Sequence, residues 1–240
     1  MQRFVIVLAV ILAGNLLSAQ AGEEKTGFIN KVYTGPEGEG KYVVFVPKAY
    51  KGDKEFPLIL FLHGLGESGS DGLNQVKVGI GPAIKKKDDF PFIVVFPQSQ
   101  KRSWQANSDD GKRAMSILAE VQKSYKVDGK RVYLTGLSMG GFGTWSLAAA
   151  HPERWAAIAP VCGGGNPTSA EKIKNIPCWC FHGDADPTVN VDMSRKMIKA
   201  LKDAGGSPKY DELPGVKHDA WTTAYAKKEL YEWLLEQKLK

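Results

Sequence analysis

Val132-Tyr133-Leu134-Thr135-Gly136-Leu137-Ser138-Met139-Gly140-Gly141 is the stretch that decides the fold. A short β-rich run enters a glycine-flanked serine, and a helical pattern with Phe142, Trp145, Leu147 and Ala148 follows. This is G-x-S-x-G set between a strand and a helix. The glycines are there for steric reasons, because side chains at the flanking positions would collide with the strand and the helix. The turn exposes the Ser138 hydroxyl and leaves the Met139 N–H free at a helix N-terminus. An N–H so placed stabilises a developing oxyanion. A serine among glycines is otherwise only a turn; the elements on either side make Ser138 a candidate nucleophile.

A serine nucleophile needs a base and an acid that orients it. In this type of fold they follow in the order Ser, then Asp or Glu, then His. His182 ends an apolar run in Phe181-His182-Gly183-Asp184-Ala185-Asp186-Pro187, and the loop after that run is where the acid belongs. His218 lies in Val216-Lys217-His218-Asp219-Ala220-Trp221, just before the last helical pattern. His218 is the expected general base and Asp186 its partner, with Asp184 the runner-up acid. A second oxyanion donor is expected from Leu62-His63-Gly64-Leu65-Gly66, where the Leu65 N–H can join that of Met139. His63 precedes the serine, against the order of the triad, and reads as a structural residue of that turn. Trp104 and Trp221 could wall the site for a sugar or phenolic ring; Trp221 reads equally well as the first core anchor of its helix. Trp145, Trp155, Trp179 and Trp233 lie inside apolar patterns and read as core.

The rest of the chain repeats the pattern of strand and helix. Apolar or β-rich runs at 41–47, 58–62, 92–96, 131–135, 156–161 and 176–181 read as strands, and 209–213 as a more polar edge strand. Ala114, Ile117, Leu118, Val121 and Tyr125 form one helical stripe, with Ser108 as its N-cap. Val191, Ser194, Ile198 and Leu201 form a second, and residues from Trp221 to Leu235 a single final helix. Alternation of this kind predicts an α/β fold of three layers, a mostly parallel central sheet with helices on both faces. No long insertion separates the Ser138 turn from the Asp186 loop, so no separate lid is expected and the cleft should be open.

Composition bounds the remaining readings. The 240 residues carry a formal charge of +6 and are 43% hydrophobic, which excludes a disordered chain. Basic residues are scattered and each helix also carries acids, so nucleic acid is not an expected partner. Arg3, an apolar run from Phe4 to Ala13 and Ala19-Gln20-Ala21 read as a secretory signal cut after Ala21. That run is too short for a stable membrane anchor. Residues 22–240 are then expected to form one catalytic domain, secreted or periplasmic. Cys178 and Cys180 share a strand and face the same way, so a bridge between them is disfavoured. Cys162 could pair with either one, or all three could be buried thiols. No metal is expected, since the histidines lack zinc-ligand spacing, and no cofactor is called for.

On these segments the chain resembles the α/β-hydrolase superfamily over nearly all of residues 22–240. His63-Gly64-Leu65-Gly66-Glu67-Ser68-Gly69 looks like the phospholipase/carboxylesterase and dienelactone-hydrolase group. Gly136-Leu137-Ser138-Met139-Gly140-Gly141 with Thr144-Trp145 looks more like the secreted predicted-peptidase, polyhydroxybutyrate-depolymerase-like or feruloyl-esterase-like branch. The stretch from His182 to Val189 is similar to the acid loop of all of these, in which the fifth residue, here Asp186, is the catalytic acid. In dienelactone hydrolases proper the nucleophile is usually cysteine; here it is Ser138. The resemblance implies hydrolysis of carboxylic esters, small or attached to a polymer, through an acyl-enzyme. A peptidase on the same triad, and a non-catalytic binding protein on a hydrolase scaffold, are the competing readings.

Overall fold

The structure, a computed structural model, describes residues 26–87 and 89–240. The expected signal at 1–21 and its cut site lie outside the described residues. The chain opens with an antiparallel pair, β1 (Gly27–Gly35) and β2 (Gly38–Val46). The elements β3 (Phe56–Leu62), α1 (Ile80–Lys85), β4 (Ile93–Pro97), α2 (Asp109–Ser124), β5 (Val127–Leu137) and α3 (Met139–Ala150) follow. After them come β6 (Ala157–Val161), α4 (Ala170–Ile173), β7 (Trp179–Gly183), α5 (Asp192–Asp203), β8 (Lys209–Leu213), α6 (Ala220–Ala226) and α7 (Lys228–Glu236).

The eight strands form one sheet in the order β1-β2-β4-β3-β5-β6-β7-β8. β3 to β8 are mutually parallel, and β2 joins β4 antiparallel. Alternation along β3 explains why its sequence is wholly apolar. Leu58, Leu60 and Leu62 enter the core under α2, α3 and α5, while Ile59 and Phe61 enter the core under α1, α6 and α7. A strand covered on both faces has no side that water selects for polarity. Ser108 caps α2 as expected, its hydroxyl accepting the Gly111 N–H at 3.1 Å.

Two features depart from the sequence reading. β1 was not foreseen: it is an edge strand with most residues half-buried or exposed, so no apolar run marks it. The last helix is two helices, broken at Lys227, whose backbone is extended. The Tyr231 hydroxyl donates to the Tyr225 carbonyl at 2.7 Å, giving that carbonyl a partner at the break. The cysteines are all free and buried. Cys162 belongs to the core on one face of the sheet, and Cys178 and Cys180 to the core on the other, which keeps them from pairing. Among the described residues no helix is long and apolar enough to cross a membrane.

Candidate active site

Parallel strands end together, and α/β sheets place their sites at the carboxyl ends. The loops after β3, β5, β7 and β8 carry Leu65, Ser138, Asp186 and His218 to one such edge. Ser138 sits between β5 and α3 with φ 53° and ψ −118°, backbone space that non-glycine residues avoid. Its N–H is tied to the Val161 carbonyl at 3.0 Å, and its carbonyl accepts from Phe142 N–H at 3.0 Å. Gly140 makes this turn possible. A Cβ there would stand 1.9 Å from the Leu62 carbonyl oxygen, so α3 could not start against β3.

The Ser138 hydroxyl lies 2.9 Å from His218 Nε2, and His218 Nδ1 lies 2.7 Å from Asp186 Oδ2. With the Nδ1–H tautomer, His218 donates to the carboxylate and accepts from serine. The Asp186 side chain is fully buried. Burial pushes its carboxyl up, but the hydrogen bond from His218 and the N–H groups of Val189 and Thr188 outweigh this and hold it below the usual range. Those two N–H groups reach Asp186 Oδ1 at 3.0 and 2.8 Å. Asp184 serves elsewhere, accepting the Gly215 N–H at 2.6 Å and so tying the acid loop to the histidine loop. The two loops also touch backbone to backbone, since a Cβ on Gly183 would stand 2.1 Å from the Val216 carbonyl oxygen.

His182, buried at the end of β7, supports the acid from behind. Its Nε2–H donates to the Val189 carbonyl at 2.9 Å and lies 3.3 Å from Asp186 Oδ2. Its Nδ1 lies 2.7 Å from the Ser194 hydroxyl on α5. Trp221 is half-buried with its ring edge-to-face against His218, centroids 5.2 Å apart. That contact orients the imidazole.

Leu65 and Met139 each begin a helical turn, so neither N–H has a carbonyl within its own turn to bond. Both residues border the same cavity of about 330 Å³ as Ser138, with Arg102, Ser103, Trp104, Gln105 and Phe142. Trp104 stands in the wall of this cavity, almost wholly buried. It is 1% exposed and its indole N–H donates to the His63 carbonyl at 3.0 Å. It braces the loop that carries Leu65 and borders the cavity only from within the core. Sequence reasoning missed Arg102, Gln105 and Phe142, which line the cavity with it; they come from a loop and a helix with no apolar periodicity to mark them.

His63 is the residue that locks this rim. It is fully buried, donating from Nδ1 to the Gly64 carbonyl at 2.6 Å and accepting the Ser99 N–H on Nε2 at 2.9 Å. The Ser99 hydroxyl and the Lys101 N–H both reach the buried Asp110 carboxylate, at 2.5 and 2.7 Å, and Asp110 pairs with Arg113. Burial pushes the His63 imidazole down to about 4. The unfolded chain therefore takes up a proton that the folded one refuses between about pH 6.5 and pH 4. The stability this gives is complete above that window and is lost as pH falls through it, by about 3 kcal/mol. Urea unfolding across that range should show a slope against pH smaller by about one proton in His63→Gln than in the parent. Equal slopes would assign the proton uptake elsewhere.

Cys162 Sγ, an Asp186 oxygen and a His218 nitrogen lie within 4.8 Å of one another. The carboxylate and imidazole atoms are engaged with each other and with Ser138, and burial pushes the Cys162 thiol up, away from the thiolate a metal would take.

Residues 37–229 match the sequence model of the Dienelactone hydrolase family. The chain belongs to that family. A bifunctional acetylxylan esterase/xylanase of Neocallimastix patriciarum is 29% identical over 71% of this chain and 25% of its own length. A protein named probable feruloyl esterase C from Aspergillus terreus is 24% identical over 71% of this chain and 64% of its own length. The crystal structure of a thermostable esterase superposes with a TM-score of 0.79 at 34% identity, covering 88% of this chain and 63% of that one. The chain thus spans under two thirds of each of these relatives.

Proposed function

We propose that this member of the dienelactone hydrolase family is a serine hydrolase of carboxylic esters, acting on acetyl or feruloyl esters that are small or attached to polysaccharide. The observation that carries the reading is the unbroken hydrogen-bond chain from Ser138 through His218 to Asp186. His218 Nε2 takes the Ser138 proton as Oγ bonds to the ester carbonyl carbon. The Leu65 and Met139 N–H groups receive the oxyanion, each worth about 3 kcal/mol of barrier. The alcohol leaves with the proton from His218. Water, deprotonated by the same nitrogen, then attacks the acyl-enzyme; the Oγ–carbon bond breaks, the carboxylic acid leaves and His218 returns the proton to Ser138 Oγ. Asp186 keeps Nδ1 protonated and stabilises the imidazolium.

The esterase relatives and the export signal read at 1–21 fit an enzyme that meets its ester outside the cytosol. A panel of acetyl, butyryl, feruloyl and long-chain esters should show turnover favouring acetyl or feruloyl, with a fluorophosphonate probe labelling Ser138. Cleavage of peptide anilides without ester turnover, or a strong preference for long acyl chains, would overturn the reading.

A further inference from the structure

A second cavity, of about 290 Å³, adjoins the one at Ser138. The two share Gln105 and Phe142 as a common wall. The first is bordered near the nucleophile by Leu65, Met139 and Phe142, apolar surfaces suited to an acyl group. The second is lined from three separate segments: Gln105 after β4, one side of α3, and the loop from Gly164 to Ser169.

Its chemistry differs. Gln105 has no hydrogen-bond partner for its amide among the described residues, so both its donor and its acceptor are unspent. Asn166 spends Oδ1 on the Thr168 N–H and hydroxyl, at 3.0 and 2.9 Å, leaving its amide hydrogens free. The Ser146 oxygen accepts the Ala106 N–H at 3.0 Å and keeps its own proton. Trp145, 1% exposed, backs the wall from within the core. Donor-rich amides and a hydroxyl beside the half-buried Phe142 ring are the surface that a sugar ring meets well: a C–H face against the ring, hydroxyls on the amides. Each cavity alone is at the small end of ligand pockets, which run from about 300 to 1,000 Å³. Side by side they take an ester in two parts.

We infer that the cavity bounded by Gln105, Phe142, Trp145, Ser146 and Asn166 is a subsite for a sugar ring on the alcohol side of the scissile ester. The inference rests on the ester-hydrolase reading and adds to it the residues that would hold the sugar of the leaving group.

The test presents one acyl group, the best of the small-ester panel, twice: on methanol and on a hydroxyl of a xylo-oligosaccharide. The parent, Asn166→Ala and Ala149→Phe are compared on both; neither substituted residue touches the cavity at Ser138. The first variant removes a donor and the second fills the cavity from α3. Both should lower kcat/KM on the sugar ester about tenfold, mostly through KM, and leave the methyl ester within about twofold. Equal kcat/KM on the two esters in the parent, with neither variant moving either, would overturn the subsite alone. A parallel loss on both esters in both variants would overturn it too, by tying the residues to folding. Methyl-ester turnover that is the same in the parent and in Ser138→Ala would instead overturn the ester-hydrolase reading itself.

Discussion

Ser138→Ala should lower kcat on the preferred ester by about 10⁴- to 10⁶-fold with the fold intact. The size of the loss follows from the geometry. Oγ is the atom that His218 Nε2 meets at 2.9 Å, and among the described residues no other hydroxyl stands in that position. What remains is binding and the oxyanion donors, Leu65 and Met139. A companion variant separates chemistry from strain. Ser138 holds φ 53°, and alanine keeps the Cβ that makes this costly. Ser138→Gly removes both nucleophile and strain, so it should be as inactive as the alanine variant but more stable by about 1 kcal/mol. Steady-state kinetics and urea unfolding of the pair read the two effects independently. Parent-like turnover in either variant would remove Ser138 from the chemistry; equal stability would remove the strain.

Asp186→Asn should cost about 10⁴-fold in kcat with KM little changed. The carboxylate accepts from His218 at 2.7 Å and from two backbone N–H groups, so it is a fixed acceptor. An amide in its place can turn its NH₂ toward His218, which then presents a bare Nδ1 and puts its proton on Nε2, facing serine. The base is lost while the substrate cleft is untouched. Because these hydrogen bonds hold the Asp186 carboxyl below the usual range, it is ionised throughout the neutral range, and the parent keeps this support as pH falls until the carboxyl itself protonates. Asp184→Asn is the control: Asp184 serves Gly215, so activity should fall far less than in Asp186→Asn. The reverse ranking would exchange the two acids.

The loops that carry Ser138 and Asp186 were legible because each follows an apolar or β-rich run that reads as a covered strand; the His218 loop follows the polar edge strand β8 and was placed by the chain order of Ser, Asp and His. Distances were not legible, since they depend on how far each loop folds back over the sheet. Trp104 shows the limit: its position after a strand was readable, but not that its N–H would find the His63 carbonyl and draw the ring inward. The hairpin partner β1 escaped notice because a half-wet edge strand keeps polar residues. The second cavity escaped because its wall is shared among residues 105, 142–149 and 164–169, which no local pattern joins.

The crowding at Gly140 also sorts the positions by how freely they can vary through evolution. With the Leu62 carbonyl 1.9 Å from where a side chain would begin, the nucleophile's turn admits no gradual change: it is inherited whole or lost. Arg102, Gln105 and Asn166 are exposed on the loops that line the two cavities and carry little of the core's packing. On the ester-hydrolase reading proposed above, descendants of this chain could change what they cleave by single steps along the rim, while the Ser138 turn passes unchanged from one lineage to the next.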